Sequence, residues 1–173
     1  MPRIPNKFGG GARTNVNGLS FEQTTSLTDA LISAGYDVRN NSVYCNDLLI
    51  GMSLSKNELY KHFLIPRGIN YEDHISKRLY PDDAFINFAN NTVYIIEKKF
   101  QNTSGSVDEK LTTCSFKKDQ YKKLITPLDF HVQYIYVLND WFKHPSYKDT
   151  LDYINDVGCF YYFNEIPLCA LGL

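Results

Sequence analysis

The chain has 173 residues, with 18 Lys and Arg against 19 Asp and Glu and 43 % hydrophobic residues, enough for one domain with a core and short for two. A formal net charge of −1 excludes a globally basic nucleic-acid binder, so any contact with phosphates has to rest on a local patch. No uncharged apolar run approaches the ~20 residues of a membrane helix, the start MPRIPNKFGGGARTN lacks the apolar centre of a signal peptide, and Cys45, Cys114, Cys159 and Cys169 are scattered without a C-x-x-C pair. Buried free thiols in a reducing cytoplasm, away from any membrane, are the expectation.

Neither a repeat nor an internal linker interrupts the chain, which reads as a single domain over 1–173 with a flexible N-terminal arm over about 1–16. The glycines of FGGGARTNVNG have neither the preceding strand nor the following lysine of a phosphate-binding loop. From Asn17 to about Ala34, Phe21, Leu27, Ala30, Leu31 and Ala34 fall near one helical face, and Gly35 follows as a stop. YDVRNNSVYCNDLLI reads as a short strand or hairpin around Asn40-Asn41. SKNELYKHFL opens with a Ser55/Glu58 capping box and closes at Pro66 and Gly68.

DAFINF and TVYIIEKKF are then two strands rich in β-branched and aromatic residues, joined at Asn90-Asn91, which tolerate the left-handed backbone of a tight turn. After QNTSG, Ser106 and Glu109 form a second capping box, and Val107, Leu111, Cys114, Tyr121 and Leu124 support one long helix. FHVQYIYVL is a buried strand. PSYKDTLDYINDVG is a helix capped at Ser146 and stopped at Gly158, with Leu151, Ile154 and Val157 inward, and CFYYF is a last strand. The expected fold class is α/β (α+β), a mixed central sheet flanked by helices around an αβββαβ core with additions.

Charges sit at the open end of the DAFINF/TVYIIEKKF hairpin. With Asn90-Asn91 as a two-residue turn, Asp82 is expected opposite Lys99, Ala84 opposite Glu97, Ile86 opposite Ile95 and Phe88 opposite Val93. Directly paired residues of an antiparallel sheet share a face, so Asp82, Glu97 and Lys99 fall on one side and Asp83 and Lys98 on the other; a slip of one residue exchanges the two aspartates. Two neighbouring carboxylates repel unless a cation lies between them, and a hard divalent ion such as Mg²⁺ meets that need. A lysine beside it can orient or deprotonate a water, or stabilise developing negative charge.

Pro81-Asp82 and Glu97-Lys98-Lys99, with their interval and the surrounding element order, resemble the PD-(D/E)XK nuclease superfamily. GGGARTNVNGLSFEQ, PDDAFIN, IIEKKFQNTSGSVDEKL and YIYVLNDWF look like its type II restriction endonucleases. The resemblance spans most of the chain, although only the catalytic motif is specific. It implies a restriction-endonuclease-like core in which Asp82 and Glu97 hold Mg²⁺, with Mn²⁺ as a possible substitute, and Lys99 assists water attack on a phosphodiester, leaving a 5′-phosphate and a 3′-hydroxyl. It also makes Glu22 a candidate further metal ligand.

Gln101 continues the strand parity of Glu97 and Lys99 and is a candidate for the metal-bound water or a phosphate oxygen. Lys110, one turn into the next helix, is a second supporting candidate. Seven lysines lie between Lys98 and Lys123, a basic segment in a nearly neutral chain; within it Lys117 and Lys118 are candidate phosphate contacts, as are Arg67, Lys77 and Arg78 further upstream. The histidines lack zinc-ligand spacing and no G-x-S-x-G signature occurs. Trp141 is expected in the core.

Two function classes follow: a Mg²⁺-dependent endonuclease on duplex DNA, most simply a type II restriction enzyme, or a nuclease-fold DNA-binding protein without turnover. Within the enzyme class, a junction or repair nuclease is the alternative. The restriction reading implies a homodimer and a cognate DNA methyltransferase acting on the same site.

Overall fold

A computed structural model describes Phe21 and residues 24–173; the expected arm over 1–16 and Glu22 lie outside the described residues. Thr25 donates its amide to the Phe21 carbonyl, and helix α1 then runs from Leu27 to Ser33. Ser26 splits the single helix expected over 17–34, because its hydroxyl accepts the Asp29 amide at 3.3 Å and so acts as an N-cap. Leu27 and Leu31 are buried while Ala30 and Ala34 are exposed, so the inward stripe is narrower than the sequence suggests.

Strands β1 (Asp37–Arg39), β2 (Ser42–Cys45) and β3 (Leu48–Leu54) form an antiparallel meander. Its turns are Asn40-Asn41 and Asn46-Asp47, and all four residues have positive φ, the requirement of a hairpin turn whose twist matches its strands. Asn46-Asp47 carries the same signal as Asn40-Asn41, so one expected hairpin is in fact three strands. Gly51 lies where β3 meets the next strand: a Cβ there would come within 2.1 Å of the Ile86 carbonyl oxygen.

A π-helical turn over Leu59–Leu64 replaces the regular helix expected after Ser55. The Glu58 carboxylate still reaches back to the Ser55 amide and hydroxyl, at 2.8 and 2.9 Å. Pro66 sits inside the following 3₁₀ turn rather than ending it, and Gly68 makes the stop with left-handed backbone.

Strands β4 (Asp83–Asn87) and β5 (Thr92–Lys99) are the expected hairpin. The last paired residues before its turn are Asn87 and Thr92, so the connection is four residues, not two. The Asn87 side-chain oxygen accepts the amides of Ala89 and Asn90, and this local bonding extends the turn. Ala84 therefore faces Ile95 and Ile86 faces Val93, a shift of two residues from the expected register. Because side chains alternate with a period of two, the shift leaves every residue on its expected face.

Helix α2 (Val107–Leu111) and helix α3 (Cys114–Ile125) stand where one long helix is expected. Thr112 and Thr113 turn their hydroxyls onto the Glu109 and Lys110 carbonyls at the break, competing with the helical ladder, and Ser106 makes no capping bond. The helices return the chain to β6 (His131–Leu138), parallel to β5; after a 3₁₀ turn over Pro145–Tyr147, α4 (Lys148–Asp156) leads to β7 (Phe160–Phe163), parallel to β6. His144, not Ser146, caps the turn before α4 by accepting the Ser146 amide at Nδ1. Gly158, with φ +67°, ends the helix.

The seven strands of the described residues lie in sequence order in one sheet, giving a mixed α/β fold with helices on both faces. On one face Ala84, Ile86, Val93, Ile95, Tyr134 and Tyr136 pack under the π-helical turn, α3 and α4. On the other, Phe85, Tyr94, Ile96, Ile135 and Val137 pack under α1 and Leu171. Burying each of the large side chains among these, Ala84 excepted, contributes roughly 1.5–3 kcal/mol. Of the cysteines, Cys114 and Cys159 are buried free thiols, as expected, but Cys45 and Cys169 are exposed. Among the described residues no helix is long and apolar enough to cross a membrane.

Candidate functional site

The carboxyl end of β5 carries Glu97, Lys98 and Lys99 where the strand leaves the hairpin and runs beside β6 alone. The ladder between β4 and β5 ends with Asp83 facing Ile96, so Asp82 lies one step beyond it, level with Glu97. The backbone amide of Lys98 donates to Asp82 Oδ2 at 2.7 Å, which fixes that carboxylate at the strand end.

Alternation sends the next side chains to opposite sides. On the α1 face, Lys98 Nζ meets Asp83 Oδ2 at 2.6 Å, with the side chains 5 % and 15 % exposed. The Leu27 amide, at the start of α1, donates to the same carboxylate at 3.3 Å. Burial raises the Asp83 carboxyl pKa above its ordinary value, against the opposing pull of Lys98.

On the α3 face, Lys99 Nζ donates to Glu97 Oε2 at 2.9 Å, and Lys117 Nζ reaches the same oxygen from α3 at 3.5 Å. The Glu97 side chain is 9 % exposed, whereas those of Lys99 and Lys117 are 20 % and 27 % exposed. Beneath them lies Tyr121, whose phenol is pushed well above its usual pKa by burial first and then by the negative charges of Glu97 and, more weakly, Asp82. Its hydroxyl is buried without a hydrogen-bond partner. Gln101 is 3 % exposed, and neither its side-chain oxygen nor its side-chain nitrogen has a partner. Its backbone is clamped to β6: the Gln101 amide donates to Asn139 Oδ1 at 3.1 Å, and Asn139 Nδ2 donates to the Gln101 carbonyl at 2.8 Å. Buried polar groups normally pair, so unpaired ones beside a carboxylate are places for water or ligand oxygens.

The register sets Asp82, Glu97 and Lys99 on one side with Gln101 beyond them; a direct contact joins Lys99 to Glu97, while the Asp82 carboxylate is held by the Lys98 amide. Lys110 is exposed on α2; its carbonyl, not its ammonium, takes part in the packing, accepting the Tyr136 hydroxyl. Lys118 turns away to the Gly158 carbonyl. Arg67 stacks on Phe63 and donates to the Phe63 carbonyl, and Arg78 lies over Tyr60 and Tyr71. Lys77 is exposed. Among the described residues no three His, Cys, Asp or Glu gather into a metal-binding cluster.

Lys117, expected from the sequence as a phosphate contact, reaches Glu97, a contact that the basic segment alone does not announce. Its signal is a phase: Cys114, Lys117, Tyr121 and Leu124 fall on one stripe of α3, so one lysine occupies a position that otherwise points inward. Against known proteins, no family model matches the chain and no curated protein matches it.

Proposed function

We propose that the protein is a Mg²⁺-dependent endonuclease that hydrolyses phosphodiesters of duplex DNA, with a restriction-endonuclease-like core and the site specificity of a type II restriction enzyme. The observation that carries this reading is the Glu97 carboxylate held between the ammonium groups of Lys99 and Lys117, level with Asp82. Two hard carboxylates and buried unpaired polar groups suit a Mg²⁺ ion, which takes one or two protein carboxylates and fills its other positions with water and phosphate oxygens. Asp82 and Glu97 would hold it, and when bound it would supply Lewis-acid stabilisation of a phosphoryl oxygen and an acidified water.

The chain's own groups account for the rest. Lys99 sets positive charge where the phosphate gains negative charge as water adds to phosphorus and the bond to the 3′ oxygen breaks, leaving a 5′-phosphate and a 3′-hydroxyl. Lys117 gives a second cation for a non-bridging oxygen, and Asn139 holds the Gln101 backbone so that its amide stays beside the reacting centre. On a duplex, one such site cuts one strand, so a homodimer with two opposed sites is the corresponding assembly, and a methyltransferase acting on the same sequence is the corresponding partner.

Incubating the purified protein and Mg²⁺ with long unmethylated duplex DNA tests the reading. Discrete fragments with 5′-phosphates are expected. Nicking confined to branched substrates would move the function to junction or repair cleavage, and binding without strand scission would make the chain a non-catalytic DNA-binding protein.

A further inference from the structure

Beyond the carboxyl ends of β5 and β6 lies a cavity of about 700 Å³, separate from the Glu97 site, lined by Ser104, Asp108, Trp141, Lys143, His144 and Tyr147 among others. Its wall is prearranged. Trp141 Nε1 donates to the Tyr147 hydroxyl at 2.7 Å, and that hydroxyl donates to Asp108 Oδ1 at 2.9 Å, so the indole is held by Tyr147 directly and by Asp108 of α2 through it. The neighbouring Phe142, wholly buried, fills the core in this turn, which leaves Trp141 on the cavity wall, only partly buried.

The polar groups select among ligands. Lys143 Nζ is 2.7 Å from Asp140 Oδ1, and Asp108 adds another carboxylate, so the cavity has no surplus positive charge for a phosphate. His144 accepts the Ser146 amide at Nδ1; a neutral ring bonded in this way carries its proton on Nε2, as a donor. An aromatic plate with a fixed orientation, one ring donor and a carboxylate acceptor is the equipment for a planar heterocycle with edge hydrogen bonds.

The position is equally specific. Lys99 pairs with Leu138 across the parallel ladder, about 4.8 Å apart. Trp141 follows Leu138 by three residues, a reach of at most ~11 Å. Trp141 therefore lies within roughly 16 Å of Lys99, a distance that a strand rising ~3.4 Å per nucleotide spans in a few nucleotides.

We propose that this cavity receives one unstacked nucleobase of the strand whose phosphate lies at the Glu97 site, stacking it on Trp141. The proposal rests on the phosphodiester reading for its substrate but not for its test.

Trp141 is the only tryptophan of the chain, so its fluorescence reports on the cavity directly. The full-length protein in EDTA is titrated with a single-stranded random-sequence oligonucleotide and with an abasic strand of equal length, binding being followed by the anisotropy of a 5′ dye. Both strands are expected to bind, and only the base-bearing one to quench Trp141, by about half. Equal quenching by the abasic strand, or binding of the base-bearing strand without quenching, overturns the proposal and leaves the phosphodiester reading standing. No anisotropy change with either strand also overturns it, and the Mg²⁺ cleavage assay still decides the function. Trp141→Ala is expected to weaken binding of the base-bearing strand roughly five- to hundred-fold, the range for loss of one base–aromatic stack, while Trp141→Phe keeps it within about three-fold. Equal losses in the two variants would trace the effect to the lost indole N–H bond and overturn the stacking assignment.

Discussion

Lys98 and Lys99 are neighbours in sequence and opposites in circumstance. On the α1 face, Lys98 meets Asp83 with both side chains almost fully buried and a backbone amide donating to the same carboxylate. On the α3 face, Lys99 shares one oxygen of a more buried Glu97 with Lys117, both ammonium groups partly reach solvent, and the Gln101 and Tyr121 polar groups nearby have no partner. The first arrangement is charge-matched and shut. The second is a carboxylate with more cations than it needs, on the side of the strand where buried polar groups lack partners. Similar residue types, two faces of one strand, give a structural pair on one side and a candidate reaction centre on the other.

The largest effect is expected from Lys99→Ala, which removes a charge needed as phosphate charge develops. Cleavage should fall by at least ~10²–10³-fold with the circular dichroism spectrum unchanged and DNA affinity largely kept. Near-normal cleavage would break the assignment of the α3 face.

Lys98→Ala attacks the other face and should act on stability. Removing one partner of a buried pair leaves an uncompensated charge, at a cost of about 3–5 kcal/mol, measured by urea unfolding near neutral pH, while the fraction still folded cleaves at close to the normal rate. The pH dependence has a definite sign. The Asp83 carboxyl pKa is already raised by burial and must rise further without Lys98. A raised carboxyl means that the folded state holds the proton more tightly than the unfolded state, so this group's contribution is fully present below the unfolded value of ~3.9 and is lost as pH rises through the folded value. The variant should therefore regain part of its deficit relative to wild type on acidification from pH 8 towards pH 5. A deficit that is flat across this range would contradict the burial argument.

Smaller effects separate the lysines of α3. Lys117→Gln should slow cleavage about ten-fold and lower the slope of log affinity against log salt by roughly one, the signature of one lost phosphate contact. Lys118→Ala, whose ammonium is bound to the Gly158 carbonyl, should leave both unchanged. Equal behaviour of the two variants would mean that α3 presents a general basic surface.

How much of this contrast is legible in the sequence depends on which symmetry carries it. Face assignment survives because the alternation of Ala84, Ile86, Val93 and Ile95 fixes parity, and parity is indifferent to the two-residue shift introduced by the Asn87 side chain. Exact partners are lost for the same reason, since turn length is set by a side-chain hydrogen bond that residue type alone does not announce. The split of the long helix at Thr112-Thr113 depends likewise on hydroxyl-to-carbonyl bonds. Lys117 is readable only after α3 is given its own phase, separate from α2. The stacking of Arg67 and Arg78 on aromatic rings comes from the tertiary fold of an irregular segment, with no periodicity to foretell it.

The most direct test of the division between the two faces compares Asp82→Asn with Asp83→Asn in Mg²⁺-dependent cleavage of duplex DNA, each variant first shown to be folded. Asp82, level with Glu97, should be indispensable, its loss lowering the rate by at least ~10²-fold as a charged oxygen ligand disappears. Asp83→Asn, on the shut side, should keep most of the activity and alter chiefly the unfolding curve. The reverse ranking, or small and equal effects from both substitutions, would contradict the account.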